Sequence, residues 1–400
     1  MNVPANATLH FSFIGYATIE EPIQNRTSFT IELSADTKQL SEVMVVGYGT
    51  QTKAEFTGSA VRVSGDAIKQ QPVQSFDQAL QGRAAGVSIA QPNGVLNNPP
   101  VIRIRGVNSI SLSSYPLVVV DGIPINTGNV SASTAVPNNP LGDINPADIE
   151  SIDVLKDAAS TAIYGSRAAA GVLLITTKRG KEGKPRINYE SWAGVSETVR
   201  LPQLLNAEQY IAIQNEAVLN AKILGGNQNN DNVASALFFQ NNNPDGTPID
   251  TRWYDHIYRT GVSQSHNISV SGGTKSTSYF FSANYTKQQG ILRGNDFNRK
   301  GARFNIDQEI TNWLKVKASV SYNTSFNLSP YSGSTPNTTF LLVSAARLAI
   351  ALPPNIPAYN PDGSYNISTS NPNTIGMGNN QVVSNFGNPV ALLDLNRYSS

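Results

Sequence analysis

The chain has no cysteine among its 400 residues, which excludes a disulfide framework and thiolate metal sites and leaves the cellular compartment open. Charge is also scarce. Asp, Glu, Lys and Arg make up 14% of the residues and the net charge is +1, where an ordinary soluble domain carries about 25% charged residues. Such a balance offers no basic face, so no nucleic-acid partner is expected. His10, His256 and His266 are the only histidines and share no i, i+4 spacing, so neither a metal centre nor another cofactor is expected. No apolar run of about 18 residues is present; this excludes a transmembrane helix but not a β-barrel. The opening MNVPANATLHFSFIGY lacks the basic and apolar regions of a secretory signal and reads as the middle of a domain.

What fills the sequence instead is Asn, Ser, Thr, Gly and Tyr, a mixture suited to polar strands and long loops. Residues 1–38 alternate with strand period, Leu9, Phe11, Phe13 and then Phe29, Ile31, Leu33 against polar neighbours, as in the end of a small β domain. Residues 39–55 read as a linker around a valine burst. Residues 56–184 read as an α+β domain of short apolar strands, with helices in SFDQALQGRAAG and DAASTAIYGSRAAAG. Ser75 and Asp157 stand at the N-cap positions, and Gly86 and Gly171 where those helices must end.

From residue 185 to 400 the pattern changes to longer alternating strands. Leu314, Val316, Ala318, Val320 and Tyr322 fall on one face, with Lys315, Lys317, Ser319 and Ser321 on the other. Tyr279, Phe281, Ala283 and Tyr285 alternate likewise with Ser278, Ser282, Asn284 and Thr286, as do Phe304 and Ile306 with Arg303, Asn305 and Asp307. Strands with one apolar and one wet face are the signature of a transmembrane β-barrel. They are predicted at roughly 186–198, 264–272, 276–289, 300–310 and 314–326, with a sixth begun near Pro389. Their connections alternate long, short, intermediate, short, long, as they do between the two rims of such a barrel. Closure needs at least eight strands, so the chain is expected to be a fragment cut at both ends.

Candidates for chemistry fall away one by one. Gly47, Gly49 and Gly58 have neither the spacing nor the following helix of a nucleotide loop. Ser166 lacks the G-x-S-x-G elbow and a nearby histidine, so no enzyme is expected. The runs GGNQNNDNV and NNNPDGTPID lack EF-hand spacing and read as solvated loops. LNAEQYIAIQNEAVLNAKILGG predicts an amphipathic helix with Asn206 and Gln209 as a capping box, an apolar stripe of Tyr210, Ile213, Ala217, Ala221 and Leu224, and Gly225 as its stop. Trp253, Tyr254 and Tyr258 are aromatics of the same long connection, candidates for binding or for packing.

Taken together, LSEVMVVGYGTQTKAEFTGSAVRVSG, QALQGRAAGVSI, VIRIRG, PLVVVDGIPI and INPADIESIDVLKDAASTAIYGSRAAAGVLLITTKRGK closely resemble the SusC/RagA family of TonB-linked outer-membrane transporters. The resemblance is strong over residues 40–181 and looser beyond, and residues 1–38 look like the end of a carboxypeptidase-regulatory-like domain. It implies a plug at about 53–184 inside a large barrel, usually of about 22 strands, whose first strands follow. It also implies a SusD-like surface lipoprotein as a lid, energy from the inner-membrane TonB complex, surrounding outer-membrane lipid, and a Gram-negative, Bacteroidota-like source. Glycan oligosaccharides are the implied cargo, with peptides the alternative.

Within that resemblance Glu42, Val43, Met44, Val45, Val46, Gly47 and Tyr48 match the place and valine-rich character of the TonB box, in the periplasm. An extended valine-rich segment leaves N–H and C=O groups for a partner strand, with Gly47 and Gly49 as a flexible joint and Phe56–Ser64 entering the plug as its first strand. Asp121, Gly122, Asn145, Pro146, Ile149, Asp153, Lys156, Asp157, Tyr164, Gly165, Arg167 and Gly171 are the most family-like plug residues and read as folding determinants. Gly122 permits a turn after the Val-Val-Val strand, and Gly165 and Gly171 let a helix stop and a strand begin. The competing class is a β-rich adhesin or glycan-binding module, against which the intact plug motif argues.

Overall fold

In a computed structural model of the protein the described residues are 8–11, 19–22, 28–33, 43–46, 49–52, 59–69, 73, 75–109, 114–127, 138–223, 237–330, 344–367, 375, 387–395 and 397–399. The chain divides into two units, Met1–Ser59 and Ala60–Ser400. In the first, Thr8–Phe11 (β1) pairs antiparallel with Ile19–Pro22 (β2). Phe29, Ile31 and Leu33 are half-buried between exposed Ser28, Thr30 and Glu32, and the Phe11 and Phe29 rings lie 6.3 Å apart. Val43–Val46 (β3) and Gly49–Thr52 (β4) form a separate two-stranded sheet.

The second unit begins with Ala60–Ser64 (β5), followed by short helices at Gly65–Lys69 and Phe76–Leu80. Val87–Ala90 (β6) and Val101–Ile104 (β7) make a hairpin. Leu117–Val120 (β8), Ile123–Ile125 (β9), Ile149–Leu155 (β10) and Val172–Thr177 (β11) join β5 in one sheet of order β5-β10-β11-β8-β9. β8 and β11 run parallel, and the other neighbours antiparallel. β10 and β11 are buried almost throughout because both of their faces are covered. On one face Ile152, Val154, Leu173 and Ile175 pack with Phe76, Leu80, Ile102 and Leu141 in a closed core.

The segment DAASTAIYGSRAAAG is not one helix. It forms an α-turn at Ala158–Thr161 and a 3-10 stretch at Ala162–Ala168, broken at Gly165 with φ 70°. A further short helix, Gly65–Lys69, follows β5 directly, and β5 itself is described from Ala60 to Ser64.

Five long strands follow: Gly183–Ser196 (β12), Gly261–Gly273 (β13), Thr277–Gln289 (β14), Asp296–Thr311 (β15) and Leu314–Pro330 (β16). Each pairs antiparallel with the next. The sixth strand is not at Pro389: Pro389–Leu395 is a helix, and Arg397–Ser399 (β17) pairs with the end of β16. The sheet does not close on itself among the described residues.

This sheet is inside out. Its alternating apolar face is exposed, with Phe304 42%, Val320 65% and Tyr322 71% accessible. Its polar face is covered instead, Ser282 0%, Asn305 1% and Arg299 2% accessible, because the α+β domain lies against it. On β14 and β15 the face that alternation alone marks as wet is therefore dry, whereas Lys315, Lys317, Ser319 and Ser321 of β16 stay exposed.

The connections at one rim, before β13, between β14 and β15 and after β16, build a second core. Trp253, Tyr254 and Ile257 pack there with Leu348, Leu352, Ile356 and Leu393. Trp253 is 2% and Tyr254 8% accessible, so of the three loop aromatics these two pack and have no free ring face. Helix Ala207–Ile223 has the reciprocal capping box, Gln209 N–H donating to Asn206 Oδ1 and Asn206 N–H to Gln209 Oε1. Its covered side differs from the expected stripe. Tyr210, Ile211, Gln214, Asn215 and Val218 are half-buried while Ile213 and Ala217 are exposed, because Asn215 ties the helix to both backbone groups of Phe238. The Ala221 side chain, Leu224 and Gly225 lie outside the described residues.

Gly171 is the tightest of the turn glycines. It has φ 96°, and a Cβ there would sit 2.6 Å from Ile104 Cδ1 and 3.1 Å from the Leu155 carbonyl oxygen. Gly171→Ala should lower the unfolding free energy of this domain by about 2–4 kcal/mol through backbone strain and overpacking, read as a reduced denaturant midpoint for protease resistance.

Candidate functional site

Two places carry the residues of interest: the β3–β4 hairpin and the interface between the α+β domain and the long-strand sheet. In the hairpin Val46 pairs with Gly49, Val45 with Thr50, Met44 with Gln51 and Val43 with Thr52. Glu42, Gly47 and Tyr48 lie outside the described residues. In such a two-residue hairpin the pair flanking the loop is hydrogen-bonded and the bonding alternates outward from it. Met44 and Val46 thus bond to β4, while the N–H and C=O of Val43 and Val45 point to the other edge. That edge has no partner strand among the described residues. The segment is a preformed strand with one open edge rather than an unpaired extended one.

The interface is built by odd-numbered side chains of β15 and their neighbours on the same face. Arg299 Nη1 donates to the carbonyl of Gly142 at 2.6 Å, and Asn305 Nδ2 to that of Lys178 at 2.6 Å. Asn145 Nδ2 donates to Asn267 Oδ1 at 3.0 Å. Ion pairs join Arg179 to Asp307 at 2.5 Å and Lys69 to Glu190 at 2.9 Å. Asp121 accepts from Thr177 N–H at 2.9 Å and Thr177 Oγ1 at 2.6 Å, and lies 3.5 Å from Arg303. A pocket of about 400 Å³ separates the two layers, lined by Lys69, Asn145, Glu190, Trp192, Asn267 and Arg299 among others.

Burial perturbs the charges. It pushes the Asp77 carboxyl up to about 6, Ser75 and Asn139 offsetting part of the effect. Asp77 is fully buried in the core and neither of its oxygens has a hydrogen-bond partner of normal geometry among the described residues. Burial also raises Asp148, against the pull of Ser282 and three nearby cations. The Lys178 ammonium falls to about 8, by burial first and then by adjacent Lys69. Burial is the largest influence on Lys69 and lowers it, but Glu190, Lys178 and Asp66 together outweigh that and leave it raised.

The other family-like residues are spread through the domain. Asp121 (φ 48°) and Gly122 (φ 88°) make the β8–β9 turn. Asn145 caps a 3-10 turn begun by Pro146, its Oδ1 accepting from Ala147 N–H. Ile149 and Asp153 are fully buried in β10, with Arg62 Nε 3.9 Å from Asp153. Asp157 pairs with Arg105, and Lys156 beside it is lowered by burial and by Arg105. Tyr164 is half-buried and Arg167 exposed. Of this set Asp121 and Asn145 reach the interface through side-chain contacts, to Arg303 and Asn267. Lys69, Thr177, Glu190, Asn267 and Arg299 are interface residues that sequence reasoning did not single out. For Glu190, Asn267 and Arg299 the one signal was parity, since each lies on the polar side of its strand's alternation; Lys69 and Thr177 had no such signal.

Residues 52–172 match the family model for the TonB-dependent receptor plug domain. The α+β unit against the sheet is thus the plug of a TonB-dependent receptor, and the sheet is the first part of its wall. The chain is 36% identical over 396 residues, 98% of its length, to TonB-dependent receptor P26 of Formosa agariphila, of which it covers 35%. It is 36% identical over 296 residues, 74% of its length, to TonB-dependent receptor SusC of Bacteroides thetaiotaomicron, covering 27% of that protein. The RagAB peptide importer in its open-open state superposes with a TM-score of 0.61 at 29% identity, over 74% of this chain and 34% of that one. The chain belongs to the SusC/RagA-like TonB-dependent receptors, and it spans about a third of the length of the curated relatives it matches.

Asp77 gives the plug a pH dependence of defined sign. Its folded value near 6 lies above the roughly 3.9 of an unfolded Asp. Stability from the protonated carboxyl is therefore complete below about pH 4 and lost as pH rises through 6. Asp77→Asn should raise the unfolding free energy at pH 7.5 by about 1–3 kcal/mol and flatten its slope between pH 4 and 6. Urea-induced loss of plug protease resistance at both pH values reads the difference.

Proposed function

We propose that the chain supplies the plug and first wall strands of a TonB-dependent outer-membrane transporter that imports nutrients together with a SusD-like lipoprotein. Glycan oligosaccharides are the first candidate cargo and peptides the second. The observation that carries this reading is the inverted sheet, whose outer face is apolar and whose polar face bonds to plug carbonyls through Arg299 and Asn305. A wall of that kind suits lipid outside and a removable polar stopper inside.

The open edge of β3 is the proposed docking strand for periplasmic TonB, which adds its own strand along Val43 and Val45. Tension there reaches β5 through the chain. β5 is an edge strand held by one ladder to β10, so its detachment leaves β10-β11-β8-β9 paired. The next element carries Lys69, whose bond to Glu190 ties plug to wall. Breaking it widens the pocket between the two layers, which is the proposed start of a passage. No step makes or breaks a covalent bond in the cargo, so the protein acts as a transporter and not an enzyme.

Two substitutions in the complete transporter separate docking from folding. Val45→Pro removes an outward N–H and leaves the bonds to β4 in place. It should abolish energised uptake, at least about a hundredfold, with unchanged amounts in the outer membrane. Uptake by Val45→Pro at the wild-type rate, or uptake by the wild type that persists when TonB is deleted, contradicts the proposal. Glu190→Gln should leave docking intact and weaken the latch by roughly 1–3 kcal/mol, read as faster passive leakage of small solutes through reconstituted protein.

A further inference from the structure

We propose that Lys287 and Lys300 form a docking site for the phosphate of an anionic membrane glycolipid on the outer face of the wall. The site rests on the reading of this sheet as an outer-membrane wall. The strand register sorts the outer face into rows running from β12 to β16. Ile187, Val270, Phe281, Phe304 and Val320 make one row, and Tyr189, Ile268, Ala283, Ala302 and Tyr322 the next. Both are apolar apart from two tyrosine hydroxyls, and Tyr189 and Tyr322 are 60% and 71% accessible. Amphipathic aromatics of this kind mark the boundary between hydrocarbon and headgroups. From Leu314 up to Tyr322 the strand rises roughly 20 Å along the membrane normal at a tilt of about 40°, close to the height of an apolar barrel belt.

The next two rows toward the long connections change character at once. They are Ser191, His266, Tyr285, Lys300 and Thr324, then Ala193, Gln264, Lys287, Asn298 and Phe326. Lys287 and Lys300 are both exposed and share the outer parity of Phe281 and Phe304, opposite the buried Thr286 and Arg299. They stand on neighbouring strands one diagonal step apart, where Cβ atoms are about 7–8 Å from each other. Two flexible ammonium groups at that spacing reach a single phosphate. Without an anion the pair is repulsive.

Among the described residues no carboxylate is paired with either lysine. The nearest acid by register is Asp296, one row further from the apolar belt, and it is held by Arg259 at 2.7 Å. Gln264, Asn298 and the Tyr285 hydroxyl share the two rows and suit sugar hydroxyls beside a phosphate. Position decides the occupant. A cation pair in the first polar rows above the belt meets a headgroup whose chains cover the apolar rows below it.

The test uses the complete transporter in detergent, titrated with fluorescent lipid A carrying its phosphates, with the same lipid dephosphorylated, and with inorganic phosphate. Wild type should bind phosphorylated lipid A roughly ten- to thirtyfold more tightly than K287A/K300A, with K287R/K300R close to wild type. Dephosphorylated lipid A should bind wild type and K287A/K300A alike. Equal affinity of wild type and K287A/K300A for phosphorylated lipid A overturns the site. Inorganic phosphate binding as tightly as the lipid overturns the glycolipid assignment. Heat-modifiable gel mobility and outer-membrane fractionation are scored on the same samples. If both hold and the affinities are equal, the site alone fails; if wild type lacks both, the membrane reading fails and the site with it.

Discussion

The structure depends on one constraint: a sheet whose polar face is dry must find hydrogen bonds on another layer. Ser282, Arg299 and Asn305 are almost wholly covered, and bonds to water lost there have to be replaced. The plug replaces them largely with backbone. Arg299 and Asn305 take the carbonyls of Gly142, in a 3-10 turn, and Lys178, just past the end of β11. A contact surface made of carbonyls, amides and scattered ion pairs holds firmly when complete. It can also be re-solvated piece by piece, since every group in it bonds equally well to water. That property suits a stopper that has to leave and return.

The plug itself is organised differently. Its core of Phe76, Ile102, Leu141, Ile152 and Ile175 is apolar and closed, while β5, the first strand after the N-terminal hairpin in sequence, sits at the sheet edge. Along the chain an open hairpin edge is thus followed by an edge strand and then by a helix tied to the wall by the Lys69–Glu190 ion pair. Of the remaining strands, β10 and β11 are protected by burial on both faces. Electrostatics are concentrated at the boundary, where Lys69, Lys178, Glu190 and Asp148 share a half-dry environment and perturb one another.

Much of this was legible in residue order. Alternation in ARFNIDQEI and LKVKASVSY marks two strands and their faces, and the plug motif carries its family in its length and order. Turn positions such as Asp121-Gly122 follow from backbone sterics. Helix extents were less legible. DAASTAIYGSRAAAG has strong local helix propensity, yet Gly165 breaks it, and Pro389–Leu395 forms a helix where a strand was expected because Val390 and Leu393 reach the loop core. The helix stripe at Tyr210 shifted for the same reason, a long-range contact overriding a local pattern. Trp253 and Tyr254 show the limit for sites: composition marks them as aromatic and only packing shows two of them without a free face.

By itself the sequence determined the family, the period of each strand and which side chains share a face, because those follow from chirality and a two-residue repeat. Only the tertiary structure decided what each face meets. Strand alternation cannot say whether Asn305 turns toward water or toward a carbonyl of Lys178, since both satisfy the same amide. Nor can it bring Lys69 to Glu190, or set Lys287 diagonal to Lys300, because those neighbours are fixed by register between strands and by the docking of one layer on another.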